Sequence, residues 1–288
     1  MTSQVLADGL YFAEAPRWHD GALWFSDFYD HAVKSVDLDG HVATKVVLDD
    51  QPSGLGWLPD GRLLIVAMQQ RAVLRLEHDA LVVHADLSHI ATFHCNDMVV
   101  DTLGRAYVGN FGFDLDAAEL SGTLPEVLAT HQGAALALVE PNGATRAVAT
   151  GMMFPNGMAL TPDGRTLIVA ETMARRLSAF DVALDGSLAN RRIWADVDGF
   201  PDGICLDADG AVWFADAARA RCVRVTEGGA VLDEVVTSRR AFACMLGGPD
   251  GRTLFIATAN ESLAERASQQ RTACIEVASV GAAGAGMP

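Results

Sequence analysis

The sequence predicts an all-β chain folded as a six-bladed β-propeller, with four-stranded antiparallel blades around a central metal-containing channel. Three observations carry this. One hairpin recurs six times, its spacing is that of a propeller blade, and a side-chain oxygen recurs at one register of the repeat.

Each hairpin is a short apolar strand, a turn ending in Gly, and a second apolar strand. The copies begin at Pro16 (PRWHDGALWFSD), Leu55 (LGWLPDGRLLIVA), Met98 (MVVDTLGRAYVGN), Met158 (MALTPDGRTLIVA), Ile204 (ICLDADGAVWFAD) and Leu246 (LGGPDGRTLFIA). Three turns read Pro-Asp-Gly-Arg. In such a turn Pro presets φ, Asp bonds back to nearby backbone, and Gly occupies the left-handed position. The turn glycines Gly21, Gly61, Gly104, Gly164, Gly210 and Gly251 are 40, 43, 60, 46 and 41 residues apart. A blade of four strands takes roughly 40–50 residues. Further strand-like runs at 32–38, 72–78, 135–141, 176–182 and 222–228 supply outer strands. The trio Trp24, Trp213 and Phe255 follows the glycines at similar offsets and reads as blade core.

The 60-residue gap holds an insertion of roughly 15–20 residues, about 111–131, and the stretch 114–131 is the one partly helical pattern. An insertion of this size in a blade loop predicts a lid. Its Phe111, Phe113, Leu115, Leu120, Leu124 and Leu128 make the expected lid apolar. The whole of 1–288 reads as one propeller domain, with a frayed tail over about 279–288.

Composition narrows the function. Acidic residues outnumber basic ones 37 to 21, giving a formal charge of -16. Such a surface repels phosphate backbones and anionic membranes, so neither nucleic acid nor membrane is an expected partner. The five cysteines, Cys95, Cys205, Cys222, Cys244 and Cys274, form no CxxC pair, which argues against a disulfide framework or a zinc knuckle. The N-terminal residues lack a basic and apolar leader pattern, and no run approaches the ~20 apolar residues of a membrane helix. The expectation is a cytoplasmic protein, monomeric or weakly homo-oligomeric. HExxH, GxSxG and Walker patterns are absent, and the eight histidines lack metal-ligand spacing.

Aligning the hairpins on their glycines exposes the candidate site. Ser53, Asn96, Asn156 and Asp202 each lie eight residues before the turn glycine, and Glu14 lies seven before its own. The sixth blade offers Ala243 or Cys244. Equivalent positions at the start of innermost strands fall on a ring around a propeller axis. Polar groups so close to a crowded axis are costly unless something satisfies them. Two carboxylates and two carboxamides, from Glu14, Asp202, Asn96 and Asn156, match one hard divalent cation, Ca2+ first from the all-oxygen donor set, with Mn2+, Zn2+, Mg2+ or Fe2+ as alternatives. Ser53 and Cys244 read as packing or outer groups. His94, two residues before Asn96, points to the same side as Asn96 and is placed on the pocket wall, whereas Cys95 points into the core.

Several short motifs also resemble the senescence marker protein-30/gluconolactonase family. They are Ala-Glu-Ala-Pro-Arg-Trp (13–18), Asn-Asp (96–97), His-Gln-Gly-Ala (131–134), Phe-Pro-Asn-Gly (154–157), Asn-Arg-Arg (190–192) and Pro-Asp-Gly (201–203), in family order between about 10 and 275. The resemblance implies a six-bladed propeller with one axial divalent cation and, in many members, lactone hydrolysis. It places metal ligands at Glu14, Asn156 and Asp202, with Asn96 as a further ligand or substrate contact and Asp202 also as base. Sugar-lactone members commonly carry Arg where this chain has His94, and Gly where it has Ala13.

The expected function is therefore divalent-metal-dependent opening of a lactone, with Asp202 and His94 as catalytic residues. His94, Asn96, Phe111, Phe113 and His131 are expected to contact substrate. Losing the guanidinium at position 94 and gaining an apolar lid predicts apolar lactones over heavily hydroxylated ones. Should Asp202 not be the base, His94 or Glu171 follows. A phosphotriesterase-like hydrolase on the same site, and a non-catalytic ligand-binding propeller, are the alternatives.

Overall fold

The computed structural model describes residues 1–285 and contains six four-stranded antiparallel sheets arranged as propeller blades. The innermost strands are Ala13–His19, Pro52–Trp57, Cys95–Val100, Pro155–Leu160, Pro201–Leu206 and Arg240–Gly247. From each of the first five the chain meanders outward through three more strands. The turns form as their residues dictate. Asp60, Asp163 and Asp250 accept from backbone N–H groups two residues on, and Gly61, Gly164 and Gly251 hold φ of +85°, +67° and +72°.

The sixth blade is closed differently. Its outermost strand is Gln4–Leu10 from the start of the chain, paired antiparallel with Ala273–Ser279. Seven residues ahead of the first hairpin thus seal the last blade, with Ala7 and Leu10 buried. The expected frayed tail holds more order than its Gly-Ala composition suggests. Ala208 N–H donates to Ala283 O, Gly284 to Gly251 O, and Ala285 to Leu206 O. Residues 286–288 lie outside the described residues.

Apolar side chains pack between neighbouring blades. Trp213 and Phe255 are fully buried in a cluster spanning the first, fifth and sixth blades, while Trp24 packs at the edge of the cluster between the first two. Each large side chain sealed this way contributes about 1.5–3 kcal/mol. All five cysteines are buried and unpaired. Among the described residues no helix is long and apolar enough to cross a membrane.

The insertion folds as two short helices, α1 (Leu115–Leu120) and α2 (Leu124–Thr130). Asp114 caps α1 by accepting from Ala117 N–H at 2.9 Å, and Pro125 stands in the first turn of α2. Asp116 accepts from the Ala264 N–H at 3.1 Å, which ties α1 to the connection between Thr253–Ala259 and Ala273–Ser279 within the sixth blade.

Candidate axial active site

A bulge re-aims the start of every innermost strand. Ladder pairing jumps from Pro52–Ala67 to Leu55–Ile65, from Cys95–Asn110 to Met98–Val108, from Pro155–Glu171 to Met158–Val169, and from Pro201–Asp216 to Ile204–Phe214. Ser53, Asn96, Asn156 and Asp202 are each the first residue of the two unpaired ones, so each leaves the sheet's alternation. Glu14 stands just before the equivalent bulge, where Ala15 takes φ +47°.

The residue after each ring position decides how close the strands come. A Cβ at Gly157 would lie 2.5 Å from Ile204 N, one at Gly203 2.6 Å from Ala243 Cα, and one at Gly54 2.4 Å from Met98 N. Neighbouring inner strands therefore touch backbone to backbone, and only Gly fits there. In the third blade this place belongs to Asp97, whose carboxylate pairs across the axis with Arg17 at 2.9 Å. Arg17 also donates to Pro16 O and Met98 O, while its Nε is buried without a partner.

Strand pairing corrects the sixth position. Ala241 pairs with Thr258 and Ala243 with Ala257, so the residue matching Asn156 is Phe242 rather than Ala243 or Cys244. Counting back from the glycine failed because this turn is one residue longer. Ala243 instead packs against Gly203, and Cys244 Sγ lies 4.0 Å from Cys205 Sγ in the core.

Glu14, Asn96, Asn156, Asp202 and His94 all line one cavity of about 390 Å³. The site's electrostatics follow from burial. Desolvation raises the Glu14 carboxyl to about 8, and raises Asp202 well above the usual range, with Glu14 adding to the rise. Neither carboxyl forms an ion pair among the described residues; Arg17 close by is committed to Asp97. Asn156 donates from Nδ2 to Thr172 Oγ1 at 3.2 Å, and Thr172 to Pro201 O, leaving Asn156 Oδ1 unused. The Ser53 hydroxyl donates to Asn96 Oδ1 at 3.4 Å, an outer contact. Two carboxylates and two amide oxygens, buried but for the half-buried Glu14 and without an ion-pair partner among the described residues, suit a hard divalent cation. The trio Asp37, Asp39 and His41 also brings donors together, but on an exposed outer turn whose Asp37 accepts from both backbone N–H groups.

Three of the ring positions are held by one repeated clasp. The Asp27 carboxylate accepts from Phe12 N–H at 2.9 Å and from Lys34 Nζ at 2.7 Å. Asp216 does the same with Phe200 N–H and Arg221, and Glu171 with Met153 N–H and Arg176. Each clasp pins the backbone two or three residues before Glu14, Asp202 or Asn156. The sequence signal was the acid ending the second strand, with a cation on the third. Glu171 is thereby removed as a reserve base. Its oxygens are also taken by Arg191, and these cations hold it below the usual carboxylate range despite its burial.

Above the ring the wall is aromatic. His94 stacks on Phe93 with centroids 4.1 Å apart, and burial lowers its pKa, favouring neutral imidazole. Of the residues expected in the lid, Phe111, Leu115 and Leu124 reach the cavity, but so do Asp114, Asp116 and Glu119. Leu120 is exposed, because α1 is too short to turn every leucine inward. Phe113 and His131 do not reach the cavity wall. They pack edge to face, centroids 5.1 Å apart, behind Phe154. One cavity cation went unforeseen. Arg240 opens the sixth inner strand, 5.2 Å over Phe242 and 4.0 Å from Glu261.

Several known proteins are similar to this chain. Regucalcin of Oryctolagus cuniculus is 24% identical over 268 residues, 90% of this chain and 87% of the relative. The 6-deoxy-6-sulfogluconolactonase of Pseudomonas putida is 26% identical over 287 residues, 96% and 93%. Among solved structures, a luciferin-regenerating enzyme superposes with TM-score 0.78 at 17% identity, covering 96% of this chain and 94% of its own. A calcium-binding regucalcin of Agrobacterium tumefaciens gives 0.77 at 20%, covering 99% and 95%. A gluconolactonase of Xanthomonas campestris gives 0.73 at 22%, covering 96% and 89%. The family model for the SMP-30/Gluconolactonase/LRE-like region matches residues 12–260, and the chain belongs to that family.

Proposed function

We propose that the chain is a divalent-cation-dependent lactonase. The observation that carries this is the pair Glu14 and Asp202, the first half-buried and the second buried, lining a ligand-sized cavity beside two amide oxygens with no cationic partner among the described residues. The gluconolactonase and sulfogluconolactonase among its relatives support the reaction, and the calcium-binding regucalcin supports the cofactor. Glu14, Asn96, Asn156 and Asp202 would hold the ion, Ca2+ by the donor chemistry. A bound divalent ion supplies Lewis acidity, polarising the ester carbonyl and making water more acidic.

The chain's own groups do the rest. Asp202 takes the proton of the attacking water at a carboxylate oxygen, which the bulge at the start of its strand presents to the cavity. The His94 imidazole, neutral and without a hydrogen-bond partner among the described residues, donates a hydrogen bond to the departing alkoxide, which takes its proton from the protonated Asp202. The aromatic wall keeps bulk water from competing.

The test is hydrolysis of sugar, aliphatic and aromatic lactones by metal-stripped protein, with each divalent ion restored in turn. Turnover should vanish on stripping and return best with calcium. Turnover indifferent to stripping would remove the ion from the mechanism. No turnover of any lactone with any ion would end the lactonase reading.

A further inference from the structure

The residue two places before each ring position also belongs to a ring. By strand pairing these residues are Phe12, Gln51, His94, Phe154, Phe200 and Arg240, one per blade, and all six line the cavity. They form a collar immediately above the axial oxygens. Three of the six are phenylalanines, and Phe111 from the insertion adds a fourth ring, 4.6 Å from Phe154. His94 in the third blade and Arg240 in the sixth stand on opposite sides.

A collar of this kind discriminates by what it can pair. The several hydroxyls of an aldonolactone each need a partner on leaving water. Around the collar Gln51, His94 and Arg240 are the polar side chains, and the phenyl faces satisfy none. A flat aromatic ring instead gains area burial and edge or face contacts with the phenylalanines. The acids Asp114, Asp116 and Glu119 on the lid side oppose an anionic substituent.

We propose that the collar makes this site selective for neutral lactones fused to or bearing an aryl ring, with Phe154 and Phe200 as specificity-determining residues and Arg240 orienting an oxygen of the substrate. The proposal rests on the lactonase reading. Its reaction on dihydrocoumarin adds one water across the acyl C–O bond. The ring oxygen leaves as the phenol, and the acyl carbon becomes a carboxylate with release of one proton.

The experiment compares dihydrocoumarin, δ-valerolactone and glucono-δ-lactone as substrates of the calcium-loaded protein. It also measures calorimetric binding of the non-hydrolysable lactams dihydroquinolinone and δ-valerolactam. Dihydrocoumarin should show kcat/KM at least about 10-fold above both other lactones, and dihydroquinolinone should bind correspondingly tighter than δ-valerolactam. Phe200→Ala should cut kcat/KM for dihydrocoumarin by roughly 10–100-fold and for δ-valerolactone by less than about threefold. Phe154→Leu, which keeps an apolar side chain at the buried position, should act in the same sense if Phe200→Ala fails to fold. Preference for glucono-δ-lactone, or equal losses on both lactones in a folded variant, overturns the proposal. If no lactone is hydrolysed yet dihydroquinolinone binds tighter, the lactonase reading falls while the collar's selectivity stands; equal lactam binding removes the collar instead.

Discussion

Desolvation at its half-buried place on the cavity wall, with no cation paired to it among the described residues, raises the Glu14 carboxyl to about 8 in the metal-free protein. Between the usual value of 4.5 and 8 the folded, metal-free protein therefore carries a proton that the unfolded chain has lost. Its contribution to stability is full below pH 4.5 and is lost as pH rises through 8, so metal-free protein should melt lower at pH 8 than at pH 5. An ion must displace that proton, so calcium affinity should rise with pH across the same interval. Thermal melts from pH 5 to 9, stripped and calcium-saturated, read both trends; parallel curves would contradict them. Asp202→Asn should lower kcat by about 10²–10⁴-fold with an unchanged fold, since it removes a ligand charge and the base together. Glu14→Gln should chiefly weaken calcium binding and recover activity at high calcium. The oxygen register made these residues legible in the sequence, because fixed offsets from a glycine survive any change in the outer strands. Phe242 was illegible, since one extra residue in its turn shifts the count, and only strand pairing restores it.

The blade is the element that repeats, and its clasp is what the hairpin pattern concealed. Asp27 and Lys34 are almost wholly buried, with side-chain exposures of 0% and 6%. Lys34→Met would leave that carboxylate without its cation and should cost about 3–5 kcal/mol in denaturant unfolding. The double substitution with Asp27→Asn should recover part of the loss. A single substitution without measurable cost would mean the Phe12 N–H alone suffices to hold the loop. Such clasps are hard to see in sequence because acid and cation come from different strands, seven residues apart in one blade and five in two. The insertion was visible as excess length and partly helical patterning. Its direction was not, because the cavity face of α1 carries Asp116 and Glu119 as well as Leu115. Side-chain sense on a helix of under two turns depends on where its ends are tied, here Asp116 to Ala264.

On the scale of the whole molecule, six hairpins at blade length were enough to fix the number of blades. The closure was not, for Gln4–Leu10 looks like any short strand until its partner at 273–279 is seen. Removing residues 1–11 should strip the sixth blade of its outer strand and leave Ala273–Ser279 as an open edge. Lower melting temperature and self-association in light scattering are the expected signs, and unchanged behaviour on both measures would make the closure dispensable.

That closure also sets an order of events during synthesis. The strand at residues 4–10 leaves the ribosome more than two hundred residues before its partner, and must wait in solution while blade after blade is added. Glu14 in the first blade and Asp202 in the fifth line one cavity, with the sixth blade standing between theirs in the ring. A nascent chain with five blades should therefore carry each of these side chains without the closed cavity. If the proposed ion binds on the axis, its capture should await the pairing of residues 4–10 with 273–279.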